Sequence, residues 1–471
     1  MTRKTISALL TMLIFAENGT AQGMLLTLDS CRTLAMSKNK ELRMADDQVR
    51  KTYYERKAAF TNYLPRITAT GAYMRTSKEI SLLNNEQKQT LGDLGTTMSA
   101  LIPQLEGISE TLNGLGQTLV DALHTDTRNM TTAALMLTQP IYMGGKIVAY
   151  NRITKYAEQI ARNNHDLALQ NVIVEIDETY WRIVAIQTKK KLAESYLTLV
   201  EKLDSDVQQM LNEGMATKAD ELSVKVKVNE AKVTLIQVKN NLSISQMLLC
   251  QICGLPMDTH ITLVDETPES IVTPSLTVSE DVQKALVFRP ELNSLELAMH
   301  ISQNKVNIAR ATYLPSVVFI GGYLASNPSV FNSFEHKLKG MWNAGIMVSI
   351  PILTWGERIY KVKAAHAETD ESISLLEETR EKVELQINQN HQKVEEATER
   401  LATAECSQDE ADENLRYAIL GLKEGVIPVS NVLEAHTAWL SAHSECVTAQ
   451  IDLRLANLYL DKAVGTLTYN R

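Results

Sequence analysis

The chain has 471 residues, 44% hydrophobic and 22% charged, with a formal net charge of −9. Its 20 glycines and 11 prolines are too few for a long disordered or collagen-like chain, and the acidic balance argues against a nucleic-acid partner. Five cysteines, an odd number, do not indicate a disulfide framework.

Arg3 and Lys4 precede an apolar run from Ile6 to Ala16, and the small residues Gly19 and Ala21 suit cleavage before Gln22. Residues 1–21 are therefore expected to be a secretory signal peptide. Its removal takes away Arg3, Lys4 and Glu17, a net +1, and brings the mature chain to about −10. No later stretch offers some 18 apolar residues in a row, so no transmembrane helix is expected. An exported chain without one is soluble, peripheral or a β-barrel. Cys31 lies far from the cleavage point and follows Leu28-Asp29-Ser30. The acidic Asp29 is wrong for a lipid-attachment box, so lipidation is not expected.

A helix runs up to Asn62-Tyr63-Leu64-Pro65, where proline ends it. A strand follows, then an interruption over residues 80–128. There Leu91, Leu94, Met98, Leu101, Leu105, Ile108, Leu112, Leu115, Leu119 and Leu123 keep helical spacing, with Pro103 as a kink or break. In the next strand Ala133, Leu135 and Leu137 alternate with Thr132, Ala134, Met136 and Thr138. A proline-free helix over 145–211 comes next; about 65 residues at 1.5 Å each span roughly 100 Å. It turns at Gly214, and a second long helix returns. Ile160, Leu167, Val174 and Trp181 fall seven apart, and Val224, Val228, Ala231, Leu235, Val238 and Leu242 step by four and three, the coiled-coil pattern. Cys250-x-x-Cys253 is a lone pair at a helix end, without the partner pair that a redox or zinc site needs. Residues 256–280, rich in Pro, Thr and Ser, read as a linker with little regular structure.

The second half repeats the first. Tyr63-Leu64-Pro65 recurs as Tyr313-Leu314-Pro315 and Glu41-Leu42 as Glu291-Leu292, both offset by 250. Pro140-Ile141 recurs as Pro351-Ile352, Gly145 as Gly356 and Glu213-Gly214 as Glu424-Gly425, offset by 211. The difference, 250 − 211 = 39, is the extra length of the first copy. The chain thus divides into a first repeat (22–255), a linker and a second repeat (281–471), with a second long helix over 357–422.

In the second copy Trp342, Ala344, Ile346 and Val348 alternate with Asn343, Gly345, Met347 and Ser349. Strands of about ten residues with one apolar face suit a tilted membrane crossing, with Leu135, Leu137, Trp342, Ala344, Ile346 and Val348 toward lipid. Tyr63, Tyr73, Tyr313, Tyr323 and Trp342 would supply interfacial aromatics. An ordinary sheet with one buried face shows the same alternation. Four strands cannot close a transmembrane barrel, and open edges are forbidden in lipid, so a barrel must be shared between chains. The last helix carries two apolar seams. One is Ala435, Trp439, Ala442, Cys446, Ala449, Leu453, Ala456 and Leu460; the other is Leu433, Leu440, Val447, Ile451, Leu455 and Leu458. Two seams predict neighbours on two sides, as in a wall of helices.

The two Tyr-Leu-Pro turns, the two Pro-Ile strand ends followed by glycine, and Gly425-Val426-Ile427-Pro428-Val429-Ser430-Asn431-Val432-Leu433-Glu434-Ala435 resemble the TolC family of outer-membrane efflux proteins, from about residue 25 to 467. The resemblance implies a mainly α fold with a small β part. It implies a homotrimer whose long antiparallel hairpins form a periplasmic α-barrel, continuous with a shared 12-stranded β-barrel in the outer membrane of a Gram-negative bacterium, with four strands per chain. It implies the exit duct of a tripartite efflux or type I secretion system, opened at its periplasmic end by an adaptor (a membrane fusion protein) and an inner-membrane transporter of RND, ABC or MFS type, with no cofactor and no chemistry of its own. The adaptor-docking tips fall at Glu213, Gly214 and Met215 and at Glu424, Gly425 and Val426. Well-known members have valine where Glu213 stands. The gate falls at Asn431, Glu434 and Asp220. The family's basic and aromatic tethers fall at Ile427 and Leu422, so the closed state must be held differently.

Residues 80–128 become an extracellular helical excursion. The nine histidines lack metal-ligand spacing, and His436 and His443, on one helix face near the second tip, read as structural or solvated. No phosphate loop, nucleophile elbow or zinc-hydrolase pattern is present, so no catalytic residue is expected. The alternative is a structural or adhesive surface protein whose barrel anchors a coiled coil. Neither the substrate nor the transporter class is legible.

Overall fold

The computed structural model describes residues 24–77, 83–123, 128–264, 277–329, 331 and 337–467. The expected signal peptide and the centre of the linker lie outside them.

In chain order the elements are β1 (Met24–Leu26), α1 (Leu28–Lys38), α2 (Lys40–Phe60), β2 (Arg66–Arg75), α3 (Asn85–Gly92), α4 (Leu94–Leu101), α5 (Ser109–Ala122), β3 (Asn129–Met143), α6 (Lys146–Asn212), α7 (Lys218–Ile252), β4 (Ile261–Leu263), α8 (Val278–Phe288), α9 (Pro290–Ala311), β5 (Ser316–Asn327), β6 (Lys339–Ser349), α10 (Glu357–Lys423) and α11 (Val429–Val464). The duplication holds at the level of elements. α1 and α8 both have 11 residues, starting 250 apart, and α6 and α10 both have 67, starting 211 apart. The helix expected to run unbroken to Tyr-Leu-Pro is divided in each copy, at Asn39 and at Arg289, both extended. The Asn39 side chain accepts from the Glu41 and Leu42 N–H groups, which restarts the helix. Among the described residues no helix is long and apolar enough to cross a membrane.

The chain forms two units. The one comprising Tyr54–Lys155 and Ile301–Thr369 holds a four-stranded antiparallel sheet of order β2-β3-β5-β6. Its register pairs Leu135 with both Ala69 and Tyr323, Tyr323 with Trp342, and Phe319 with Ile346. Directly opposed residues share a face. Ile67, Tyr73, Leu135, Leu137, Phe319, Tyr323, Trp342, Ala344, Ile346 and Val348 therefore lie on one face across all four strands. The other face is less polar than the alternation alone predicts. Thr68, Thr70, Thr132, Asn343 and Ser349 share it with Met74, Met136, Met341 and Met347. The insertion folds as three short helices. As expected, Pro103 ends α4, opening a 3₁₀ turn over Pro103–Ile108. α3 and α4 pack on α5 through glycine: a Cβ on Gly116 would stand 1.7 Å from the Leu91 oxygen, and one on Gly95 1.9 Å from the Ser109 oxygen.

The other unit holds the greater part of the helical hairpins. Its main core gathers Leu26 of β1, Cys31 and Ala35 of α1, Ile176, Tyr180 and Ile183 of α6, Leu249 and Ile252 of α7, and Ile261 and Leu263 of β4. The linker is thus partly regular: β4 pairs in parallel with β1, Met24 opposite Ile261 and Leu26 opposite Leu263. Both expected seams of α11 are used. Cys446, Ala449 and Leu453 pack with Val394, Ala397 and Ala404 of α10, while Ile451, Val447 and Leu455 join the core around α6. Arg454 lies 3.7 Å over the Trp181 ring, Tyr459 Oη donates to Glu178 at 2.8 Å, and Lys189 Nζ donates to the Thr448 hydroxyl at 2.9 Å. One helix with a partner on either flank is the repeating contact of a helical wall.

Candidate functional site

The residues expected at the tips come from two turns built on one backbone plan. α6 and α10 each end in a glycine with φ of +78° (Gly214) and +69° (Gly425), a conformation that L side chains rarely adopt. The Met215 N–H donates to the Met210 oxygen and the Val426 N–H to the Gly421 oxygen, each at 2.8 Å. These bonds reach back five residues and satisfy carbonyls that the helix end leaves free. Glu213, Gly214, Met215, Glu424, Gly425 and Val426 are all exposed. Val426, at 77% exposure, is an apolar side chain with nothing of its own chain to cover it.

The restart of the return helix differs. At the first tip Thr217 and Asp220 form a reciprocal cap. The Asp220 N–H donates to Thr217 Oγ1 at 3.2 Å, and Asp220 Oδ2 accepts from the Thr217 N–H at 2.9 Å and from its hydroxyl at 2.6 Å. These bonds hold the Asp220 carboxyl below the usual aspartate range. At the second tip Pro428 takes the place of Thr217 and caps with no side chain. Asn431, in the place of Asp220, donates its N–H to the Pro428 oxygen at 3.2 Å. Asn431 and Glu434 are exposed on the first turns of α11. Of the three expected gate residues, then, Asn431 and Glu434 share one helix, while Asp220 sits in the other hairpin with its carboxylate engaged in a cap. The Thr-x-x-Asp spacing at 217–220 was a readable signal for that cap.

Behind both turns one apolar cluster ties four helices together. It contains Tyr196, Val200, Leu203 and Val207 of α6, Val224, Val228 and Ala231 of α7, Leu415, Ala418 and Leu422 of α10, and Val429, Val432, Leu433 and Ala435 of α11. Leu422 and Ile427, which stand at the expected tether positions, both belong here. Leu422 is buried, and Ile427 closes over Gly421, where an added Cβ would come 3.1 Å from Ile427 Cγ1. The residues at the two expected tether positions thus pack inside one chain. Sequence reasoning missed one feature here, buried Glu221, and left His436 as structural or solvated without resolving which. Glu221 is buried under Lys218 and Lys225, which both bond it and lower its pKa. His436 is 2% exposed with its Nδ1 unpartnered, its ring 6.3 Å from that of Tyr196, and burial lowers its pKa. His443, on the same helix, instead bonds Asp412 at 3.0 Å, as does the Trp439 indole N–H at 2.5 Å.

Leu135, Leu137, Trp342, Ala344, Ile346 and Val348, expected to face lipid, lie together on one face set by the sheet register. Trp342 is 75% exposed. β2 and β6 are edge strands with unpaired outer sides in one chain.

The Cys250-x-x-Cys253 pair also acquires a neighbour. The Cys253 thiol donates to the Cys31 backbone oxygen at 3.7 Å, and the Cys31 and Cys253 side chains are hydrogen-bonded to each other. Their separation of 222 positions hid this from the sequence. Among the described residues no group of three or more His, Cys, Asp or Glu side chains forms a metal cluster.

Two copies of a strand pair, each feeding a 67-residue helix that ends in a glycine turn, make up the chain, the build of an outer-membrane channel and not of an enzyme. The chain belongs to the outer membrane efflux protein family, whose model matches residues 32–255 and 282–466, one segment per repeat. It is 20% identical to the outer membrane protein TolC of Vibrio cholerae over 349 residues, covering 72% of this chain and 78% of that one. It is 22% identical to the alkaline protease secretion protein AprF of Pseudomonas aeruginosa over 351 residues, 71% and 69% of the two chains. The Campylobacter jejuni CmeC outer membrane channel matches in fold with a TM-score of 0.75 at 15% identity, over 96% of this chain and 90% of that one. The protein is thus an outer-membrane efflux channel that extends into the periplasm.

Proposed function

We propose that three copies of this chain form the exit duct of a tripartite efflux or secretion system, passive in itself and opened at its periplasmic tips by an adaptor and an inner-membrane transporter. The observation that carries this reading is the four-stranded sheet with one apolar face and two unpaired edges. In lipid each unsatisfied edge group costs several kcal/mol, so β6 of one copy must pair with β2 of the next until the sheet closes. Three copies supply twelve strands. Leu135, Leu137, Trp342, Ala344, Ile346 and Val348 then face lipid, and the helices enclose the periplasmic part of the lumen.

In this reading the exposed Met215 and Val426 beside their glycine turns are the apolar contacts that the adaptor covers, with Glu213 and Glu424 at the rim. Glu434, repeated three times, sets a ring of negative charge at the constriction that attracts cations. Asn431 lies one turn nearer the tip, and Asp220 supports the gate by fixing the first tip. The test is the mass of the protein in detergent, by light scattering with the detergent contribution subtracted. Three times the mass of one mature chain is expected. A monomer or a dimer overturns the reading, because neither closes the sheet.

A further inference from the structure

We infer that Cys31 and Cys253 are joined by a disulfide in the mature protein, which staples the start of the first repeat to the end of its long hairpin. The observations are geometric. Both side chains are fully buried and touch thiol to thiol across the α1–α7 contact. The approach is held from both sides of the pair. Arg32, next to Cys31, grips the buried Asp177 of α6 with both arms of its guanidinium. Asn39, at the end of α1, donates from Nδ2 to the Ile252 oxygen at 3.0 Å, one residue before Cys253. Gly254, with φ of +66°, presses so closely on α1 that a Cβ there would stand 2.6 Å from Lys38 Cβ. Cys253 lies in the cap that this glycine makes, with the Leu255 N–H donating to the Cys250 oxygen at 2.7 Å. Cys250 is the obvious competitor, but its thiol points elsewhere, donating to the Thr259 oxygen at 3.7 Å. An odd cysteine count does not exclude one bridge; it leaves three thiols, on Cys250, Cys406 and Cys446.

The chemistry suits the compartment. An outer-membrane protein folds outside the reducing cytosol, where thiols are oxidised by exchange with a protein disulfide of the thiol–disulfide oxidoreductase class. The Cys253 thiolate attacks that disulfide, forming a mixed disulfide and releasing one oxidoreductase thiol. The Cys31 thiolate then attacks the mixed sulfur, closing Cys31–Cys253 and releasing the second thiol. Two thiols of this chain are oxidised, one disulfide of the oxidoreductase is reduced, and the two protons end on its sulfurs. The hydrogen bond with Cys253, and burial after it, push the Cys31 thiol up, which makes it inert once α1 has docked. The exchange therefore belongs to the folding chain.

The test is a thiol count on the protein extracted from outer membranes, unfolded in denaturant with N-ethylmaleimide and weighed intact. Three labels are expected without reductant and five after reduction, with one linked peptide pair joining Cys31 to Cys253. Five labels before reduction overturn the inference, as does a bridge between Cys250 and Cys253. Cys250→Ser removes only the bystander and is expected to take two labels of its four cysteines; four labels there overturn the inference equally.

Discussion

The two hairpin tips share a backbone and differ in how it is stabilised. Gly214 and Gly425 occupy the same left-handed conformation, and the bonds around them correspond residue for residue at the offset of 211. Beyond the turn the copies diverge. Thr217 and Asp220 become Pro428 and Asn431, and Glu221 beneath two lysines becomes the fully buried Val432. Lys225, which bonds Glu221, becomes the buried His436. The first tip satisfies its own polar groups. The second packs its interior with apolar side chains and leaves Asn431 and Glu434 turned outward. Duplication has kept the geometry of the turn while the residues that stabilise it have diverged.

This contrast can be broken most severely at position 432. Val432→Glu places a carboxylate in the four-helix cluster and is expected to cost several kcal/mol. It should expose the ends of α10 and α11 to limited proteolysis, whereas Glu221→Val at the matching position should leave the cleavage pattern of the first hairpin unchanged. Equal proteolysis of the two would remove the asymmetry. The glycines sharpen the shared part. A Cβ at Gly214 or Gly425 meets no atom, so alanine adds only the strain of a left-handed residue, about 1–2 kcal/mol at either tip. Amide exchange in the two turns should accelerate to the same degree, and a difference beyond threefold would contradict a common plan.

Thr217→Ala should cost about 1 kcal/mol of local stability at the first tip, while Pro428→Ala, which removes no side-chain cap, should change amide exchange in α11 little. The smallest effect is that of pH. Burial lowers the pKa of His436 from its ordinary 6.5, so the folded state favours the neutral ring. Its contribution is present above that ordinary value and is lost as pH falls through the lowered one. Protease resistance of the second tip should decline as pH falls below about 6.5, and His436→Phe should flatten that decline. The Asp220 carboxyl, held below its ordinary 3.8, keeps the first tip capped through the same range and releases it only in stronger acid.

Much of this was legible because duplication repeats a pattern, and strong periodicity survives without an alignment. The 250 and 211 offsets located both turns, the 67-residue helices to within a residue or two, and the two seams of α11. What was not legible depends on contacts between distant segments. β1 and β4 are three residues each, too short to show alternation, and only their pairing defines them. Cys31 meets Cys253 through the docking of α1. The methionines on the second sheet face escape an alternation rule that sorts residues only as apolar or polar. Ile427 and Leu422 could be seen to lack the tethering chemistry, but only the packed cluster shows that they bind their own chain instead.

The proposed pore, narrowed at the second tip, can be read by single-channel recording in planar lipid bilayers. The purified wild-type protein is expected to give stable, low-conductance events with a preference for cations, and Glu434→Gln should weaken that preference while the pore remains. A protein that inserts and passes no current, or one whose ion preference is untouched by the loss of the Glu434 charge, would contradict it.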